Sequence, residues 1–147
     1  MRNKNMTLSK TNSGLYYSSK KLSNGQTIVM LFSAYAVNGN GTFYNVGLAI
    51  GKNRKQCLSW YDNKTKYLSG HETGKSTNVK EVLNFCLDIL KEFEEYLVSQ
   101  NKNSCIVIEG SDKRRLEVYK KALKKHRPDY IYHKENEYIY KWIKFNN

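Results

Sequence analysis

The reactive groups this chain sets close together are cations. Gly110 and Ser111 stand ahead of Arg114, Arg115, Lys120, Lys121, Lys124 and Lys125. Free backbone N–H groups at the start of a helix attract anions. Arginine beside them clamps phosphate or carboxylate through paired hydrogen bonds, and lysine adds point charge. The chemistry of that set is phosphate binding. A second set lies near the C-terminus, where Tyr138, Tyr140 and Trp142 alternate with Ile139, Lys141 and Ile143. Alternate residues of a strand share a face, so the three rings read as a platform on which bases stack, each base worth about 1–3 kcal/mol. Tyr16, Tyr17, Tyr35 and Tyr44 extend that platform if the first and last strands are neighbours. Each set has a plainer use: a capped helix with a solvated basic face, and aromatics that fill a strand's own core.

Other motifs fail on spacing. Gly70-His71-Glu72-Thr73-Gly74-Lys75-Ser76 has three residues between its glycines, where a phosphate-cradling P-loop needs four. His71, His126 and His133 lack metal-ligand spacing, and no Cys/His pattern suggests zinc. Ser111 follows a glycine but lacks the second glycine of a nucleophile elbow. The expectation is a protein without catalytic residues, metal or cofactor.

The elements that hold these groups follow from periodicity. Cys105-Ile106-Val107-Ile108 is a short apolar, mostly β-branched run and reads as a buried strand. Gly110 turns the chain, and Ser111 caps a helix with Asp112 in its first turn. Leu116, Tyr119 and Leu123 form that helix's apolar stripe. Upstream, Asn78 with Glu81 three residues on makes a capping box for a long helix. Val82, Cys86, Ile89, Leu90, Phe93 and Leu97 carry that helix's period. Before it come β-like segments: Leu15–Leu22 as an edge strand, a type I′ turn at Asn24-Gly25, the central run Gln26–Val37, the segment Thr42–Gly51, then Gln56–Tyr61 and Lys66–Ser69. Ser69–Thr77 reads as a connecting loop. Pro128 ends the second helix, and Asp129–His133 and Glu137–Phe145 close the chain as a pair of strands, or as one strand with a bulge at Lys134–Asn136. The fold class expected is α+β: an antiparallel meander, a long helix, a buried strand, a basic helix and C-terminal strands. Residues 1–14 read as a flexible tail and 15–147 as one domain.

Two resemblances attach to these elements. Gly110, Ser111, Arg115 and Tyr119 match an uncharacterised family of small bacterial proteins, in which an apolar strand precedes Gly-Ser-Thr, a short spacer, Arg, and Tyr four residues later. Asp112 replaces the usual Thr and Glu117 a usual second Arg. Tyr44-Asn45-Val46-Gly47-Leu48 and the long helix also fit, so the resemblance spans about the last two-thirds of the chain. It implies an architecture and no reaction. The element order also resembles ribonuclease H-like proteins. That resemblance implies carboxylates holding two metal ions, the first mid-strand in the opening sheet. Residues 26–51 contain no Asp or Glu, so an active nuclease is not expected.

The formal net charge of +12 over 147 residues favours acidic partners, nucleic acid first. Glu81, Asp88, Glu92, Glu94 and Glu95 crowd into the long helix, which leaves the rest more basic still. The three cysteines, Cys57, Cys86 and Cys105, sit among apolar neighbours and read as free buried thiols in a reducing compartment. The polar first residues carry no signal-peptide core, and no apolar run approaches membrane-spanning length. The expectation is a cytoplasmic protein with no membrane partner, and the resemblance to the small bacterial family implies a bacterium, its phage or a plasmid as the source. Its expected function is non-enzymatic binding of nucleic acid, mainly through phosphates. The alternatives are a module that occupies or inhibits a host protein, and a binder of a small anion such as a nucleotide at Gly110, Ser111 and Arg115.

Overall fold

The computed structural model describes residues 8–11, 14–63, 78–109 and 113–145. It is a mixed α+β fold. In chain order the elements are β1 (Ser9–Lys10), β2 (Tyr16–Lys21), β3 (Thr27–Asn38), β4 (Gly41–Gly51), α1 (Arg54–Asn63), α2 (Val79–Ser99), β5 (Ser104–Ile108), α3 (Lys113–His126), β6 (Ile131–His133) and β7 (Tyr138–Ile143). The strands form one sheet in the order β1-β2-β3-β4-β5-β7-β6. β4 and β5 are parallel, while β1–β2, β2–β3, β5–β7 and β6–β7 are antiparallel. None of the helices among the described residues is long and apolar enough to cross a membrane. Packing divides the chain into two compact units, Met1–Phe32 with Gly47–Glu92, and Ser33–Val46 with Phe93–Asn147.

In the first unit, Ile28 to Phe32 of β3 are all buried, as an apolar run covered on both faces must be. Val29, Leu31, Ala49 and Cys57 pack together, with Leu15, Tyr17 and Leu58 against them. Burial pushes the Cys57 thiol up to about 11, which leaves it protonated and inert. Ser9–Lys10, expected within the tail, pairs with Tyr16–Tyr17.

Two local expectations are overturned here. Gln56–Tyr61 is not a strand but part of α1. Asn53 caps this helix: its Oδ1 accepts the Gln56 N–H at 2.8 Å, and the Gln56 side chain reaches back to the Lys52 N–H at 2.7 Å. That reciprocal bonding satisfies free amides of a helix start, and it outweighs the strand propensity of a short apolar run. The turn at Asn24-Gly25 is not type I′, for only Gly25 has positive φ, at 90°. Gly25 N–H bonds Leu22 O at 2.9 Å and Leu22 N–H bonds Gln26 O at 2.7 Å. This is a three-residue loop with glycine in the left-handed position. The strand expected at Lys66–Ser69 and the loop at Ser69–Thr77 lie outside the described residues.

α2 begins where expected. Asn78 Oδ1 accepts the Glu81 N–H at 3.1 Å. The Glu81 carboxylate does not complete the box; it takes the Ser23 N–H at 3.0 Å and the Ser23 hydroxyl at 2.9 Å.

The second unit is built on β5, whose five residues are all buried. Its neighbours are β4, paired Phe43↔Cys105 and Tyr44↔Ile106, and β7, paired Cys105↔Trp142, Ile106↔Lys141 and Val107↔Tyr140. The loop before β5 holds this register. Asn103 O accepts the Thr42 N–H at 3.1 Å, and Asn103 Oδ1 accepts the Phe145 N–H at 2.8 Å. Gly41 permits the approach, since a Cβ there would lie 2.6 Å from Asn103 O. The closing strands appear as the hairpin β6–β7, turned at Glu137 with φ 55°.

Candidate nucleic-acid interface

Directly paired residues on neighbouring strands share a face of the sheet. In the second unit the register therefore sorts side chains into two sets. Phe43, Cys105, Val107, Tyr140 and Trp142 stand on one face; Tyr44, Ile106, Ile108, Ile139 and Lys141 stand on the other. The strand alternation predicted for Tyr138, Tyr140 and Trp142 is present, as β7 covers Tyr138–Ile143.

α2 and α3 contact the second of these faces. The Phe93 ring meets Tyr44 edge-on, 5.1 Å between centroids. Lys120 of α3 lies over Tyr132 at 3.8 Å, and Tyr132 pairs with Ile139. Leu116 and Leu123, the expected apolar stripe, are buried. At 100° per residue, Lys113, Arg114, Lys120, Lys121, Lys124 and Lys125 then fall within an arc of about 140° on the helix's other side. Lys113, Arg114, Lys121, Lys124 and Lys125 are exposed, and Lys120 is half-buried. Among the described residues, α3's ion pairs are limited to Lys120 with Glu117 at 3.3 Å. Arg115 is part of α3, but its side chain lies outside the described set, as do Gly110 and Ser111. The turn expected to begin the phosphate site is therefore not part of this surface description.

A cleft of about 330 Å³ runs beside this helix. Glu117, Lys120, Lys121, Leu123 and Lys124 of α3 line it together with Pro128, Tyr130, Tyr132 and Ile139. Three of the lysines predicted to bind phosphate thus border one concavity, with Lys120 held by Glu117 there.

Not all the basic residues nearby are free. Glu94, one of the five acids crowded into the long helix, is 5% exposed. Its carboxylate takes the Arg127 guanidinium, the Lys141 ammonium at 3.0 Å and the Tyr130 hydroxyl at 2.6 Å. Lys141 also faces Asp129 at 3.6 Å. Burial, then the Glu94 charge, push the Tyr130 hydroxyl far above its ordinary value. A buried carboxylate is tolerated only with such partners. The cluster ties α2 to β7 and to the segment after α3, and it withdraws Arg127 and Lys141 from the surface. A partial signal was present in sequence: Glu94 lies four residues after Leu90 and three before Leu97, at the margin of the apolar stripe.

The opposite face carries rings in contact from strand to strand. Tyr35 meets Phe43 at 6.2 Å, Phe43 meets Trp142 edge-on at 5.2 Å, Tyr138 meets Tyr140 at 5.7 Å, and His133 stacks on Tyr138 at 4.8 Å. Lys144 Nζ lies 5.7 Å from the Trp142 ring. Tyr35 is 57% exposed, Val37 75% and Ile131 54%. Val37 follows Tyr35 by two, and Ile131 pairs with Tyr140, so all three belong to this face. Tyr35 joins the predicted rings, and Phe43 and His133 are members the sequence reading missed. Tyr44 does not join them, being buried against Phe93. Tyr16 and Tyr17 belong to β2 in the first unit, and the first and last strands are not neighbours. The two predicted sets, basic helix and aromatic strand, therefore occupy opposite sides of one sheet.

Cys57, Cys86 and Cys105 are free thiols. Burial pushes Cys105, beneath the rings, up to about 11. Among the described residues no three His, Cys, Asp or Glu side chains group as a metal site would require. Comparison of the chain with family models, with curated proteins and with solved structures gave no match.

Proposed function

We propose that the protein binds nucleic acid, mainly through backbone phosphates, with α3 as the principal contact. The observation that carries this reading is the basic arc of α3. Lys113, Arg114, Lys121, Lys124 and Lys125 are exposed there, and the helix's one acid in that arc, Glu117, is paired with Lys120. A net charge of +12 supplies the long-range attraction. Five cations along one helix face, with no ion pair among the described residues, match a polyanion with regularly spaced charges better than they match a small ligand. Nothing in this reading needs a reaction, and the domain acts as a binding module.

Binding of labelled DNA or RNA at low salt tests the reading. Affinity should fall steeply as salt rises, with a log–log slope of about 0.7–0.9 per phosphate neutralised. The triple variant Lys121→Glu, Lys124→Glu, Lys125→Glu should reduce that slope and weaken single and double strands alike. Absence of binding at low salt ends the proposal.

A second reading is favoured by the cleft alone. Lys121 and Lys124 beside Tyr130 and Tyr132 in a cleft of about 330 Å³ suit a nucleotide, with phosphate on the two ammonium groups and Lys120 held by Glu117. A nucleotide that binds only the folded chain raises its melting temperature; Lys124→Glu should remove that shift.

A further inference from the structure

The aromatic face of the second unit is a surface of a different kind from α3. We infer that it is a stacking platform for the bases of single-stranded nucleic acid, with Tyr35, Tyr138, Tyr140 and Trp142 as the stacking residues. The inference takes its class of ligand from the function proposed above, but places it on the other side of the sheet and restricts it to unpaired strands.

Three observations carry it. The first is composition. Large apolar side chains left open on a protein surface mark interaction sites, and here Tyr35, Val37 and Ile131 stay more than half exposed on one sheet face. Val37 and Ile131 are aliphatic, but around them the half-buried Phe43, His133, Tyr138, Tyr140 and Trp142 are rings, beside the polar Asn45. Aliphatic surfaces suit protein partners; flat rings offer a π-face that every base can use.

The second is geometry. The rings form two groups: Tyr35, Phe43 and Trp142 in one, Tyr140, Tyr138 and His133 in the other. Tyr140 and Trp142 belong to the same strand two residues apart, about 7 Å, so the groups form one band. Phe43 and His133 support the others by edge-on and stacked contact. Sheets that present aromatics in this manner take splayed, unpaired bases, which a duplex keeps hidden in its stack.

The third is charge. Lys144 sits over Trp142, and Lys134 is exposed in the turn beside His133. Both can meet the phosphates that connect stacked bases. Glu109 follows β5 at an odd position, on the same side as Val107, and is exposed. Glu135 and Glu137 are exposed in the same turn as Lys134, and these three acids should oppose binding. A chain with this net charge attracts a polyanion and repels a basic protein.

The experiment uses the full chain with Trp60→Phe, so that Trp142 is the sole tryptophan. It is titrated with oligothymidylate and, separately, with a duplex of equal length. The single strand should quench Trp142 fluorescence and the duplex should not. Tyr35→Ala and Tyr140→Ala should each weaken the single strand roughly tenfold and leave duplex affinity unchanged. Tyr140→Phe, which keeps the ring, should bind as the parent does, and Glu109→Gln should bind more tightly. Single-strand binding with unaltered Trp142 emission and no effect of Tyr35→Ala would overturn the platform while leaving phosphate binding by α3 intact. Failure of both strands to bind overturns both ideas and favours a protein on this face.

Discussion

The two faces of the second unit's sheet are made by the same residues of β7 taken alternately, yet they are finished differently. Ile139, Lys141 and Ile143 go to the side where α2 and α3 pack. That side is closed: its apolar atoms are out of water, worth about 1.5–3 kcal/mol for each large side chain, and its one buried acid is fully partnered by Arg127, Lys141 and Tyr130. Tyr138, Tyr140 and Trp142 go to the side where contacts run between strands, and they remain half exposed. A sheet with one face open commonly puts polar residues there. This one puts rings there instead. The lesson is that position in the strand does not separate covered aromatics from open ones. What separates them is whether a helix arrives to cover them.

That contrast predicts unequal effects of substitution. The largest belongs to the closed face. Glu94→Ala takes the carboxylate from the half-buried Arg127 and Lys141 and from the buried Tyr130 hydroxyl, and should cost about 3 kcal/mol of stability, read as a lower midpoint in urea unfolding. Tyr130→Phe removes one hydrogen bond to the same carboxylate and should cost about 1–3 kcal/mol. The tyrosine also sets a pH dependence. Folding raises its pKa above the ordinary 10.0, so between pH 10 and the folded value the native chain keeps a proton that the unfolded chain has lost. Stability is then fully present below pH 10 and falls as pH rises, by about 1.4 kcal/mol per unit for one proton. The Phe variant should show a shallower alkaline decline; an identical decline would place the effect elsewhere. The smallest effect belongs to the open face. Tyr35→Ala should change stability by no more than about 0.5 kcal/mol, while changing single-strand affinity. If Tyr35→Ala destabilises as much as Tyr130→Phe, the open face is structural after all and the contrast fails.

Much of this architecture was legible in advance. The apolar run of Cys105 to Ile108 is the central strand of its unit, Asn78 caps α2, and the stripe Leu116, Tyr119, Leu123 orients α3 as its spacing requires. Each is a local matter of period and capping, which adjacent residues settle. α1 is hard to read from pattern because its apolar residues are few and the Asn53–Gln56 bonding that starts it is a side-chain contact that no periodicity records. Glu94 stands at the margin of the apolar stripe of α2, and its burial depends on partners that only tertiary structure brings, Arg127, Tyr130 and Lys141.

Residue types and their periods were enough to say that this chain has a basic helix, an aromatic strand and an α+β framework. Which side each would face depended on strand order. β5 enters beside β4 and β7 beside β5, and that pairing sets the rings of Tyr35, Phe43 and Trp142 together while sending α3's lysines to the reverse side. Contacts between residues so far apart in sequence depend on which chain segments can close against one another without leaving backbone groups unpaired. No local pattern records that choice, and it is the choice that turned one expected surface into two.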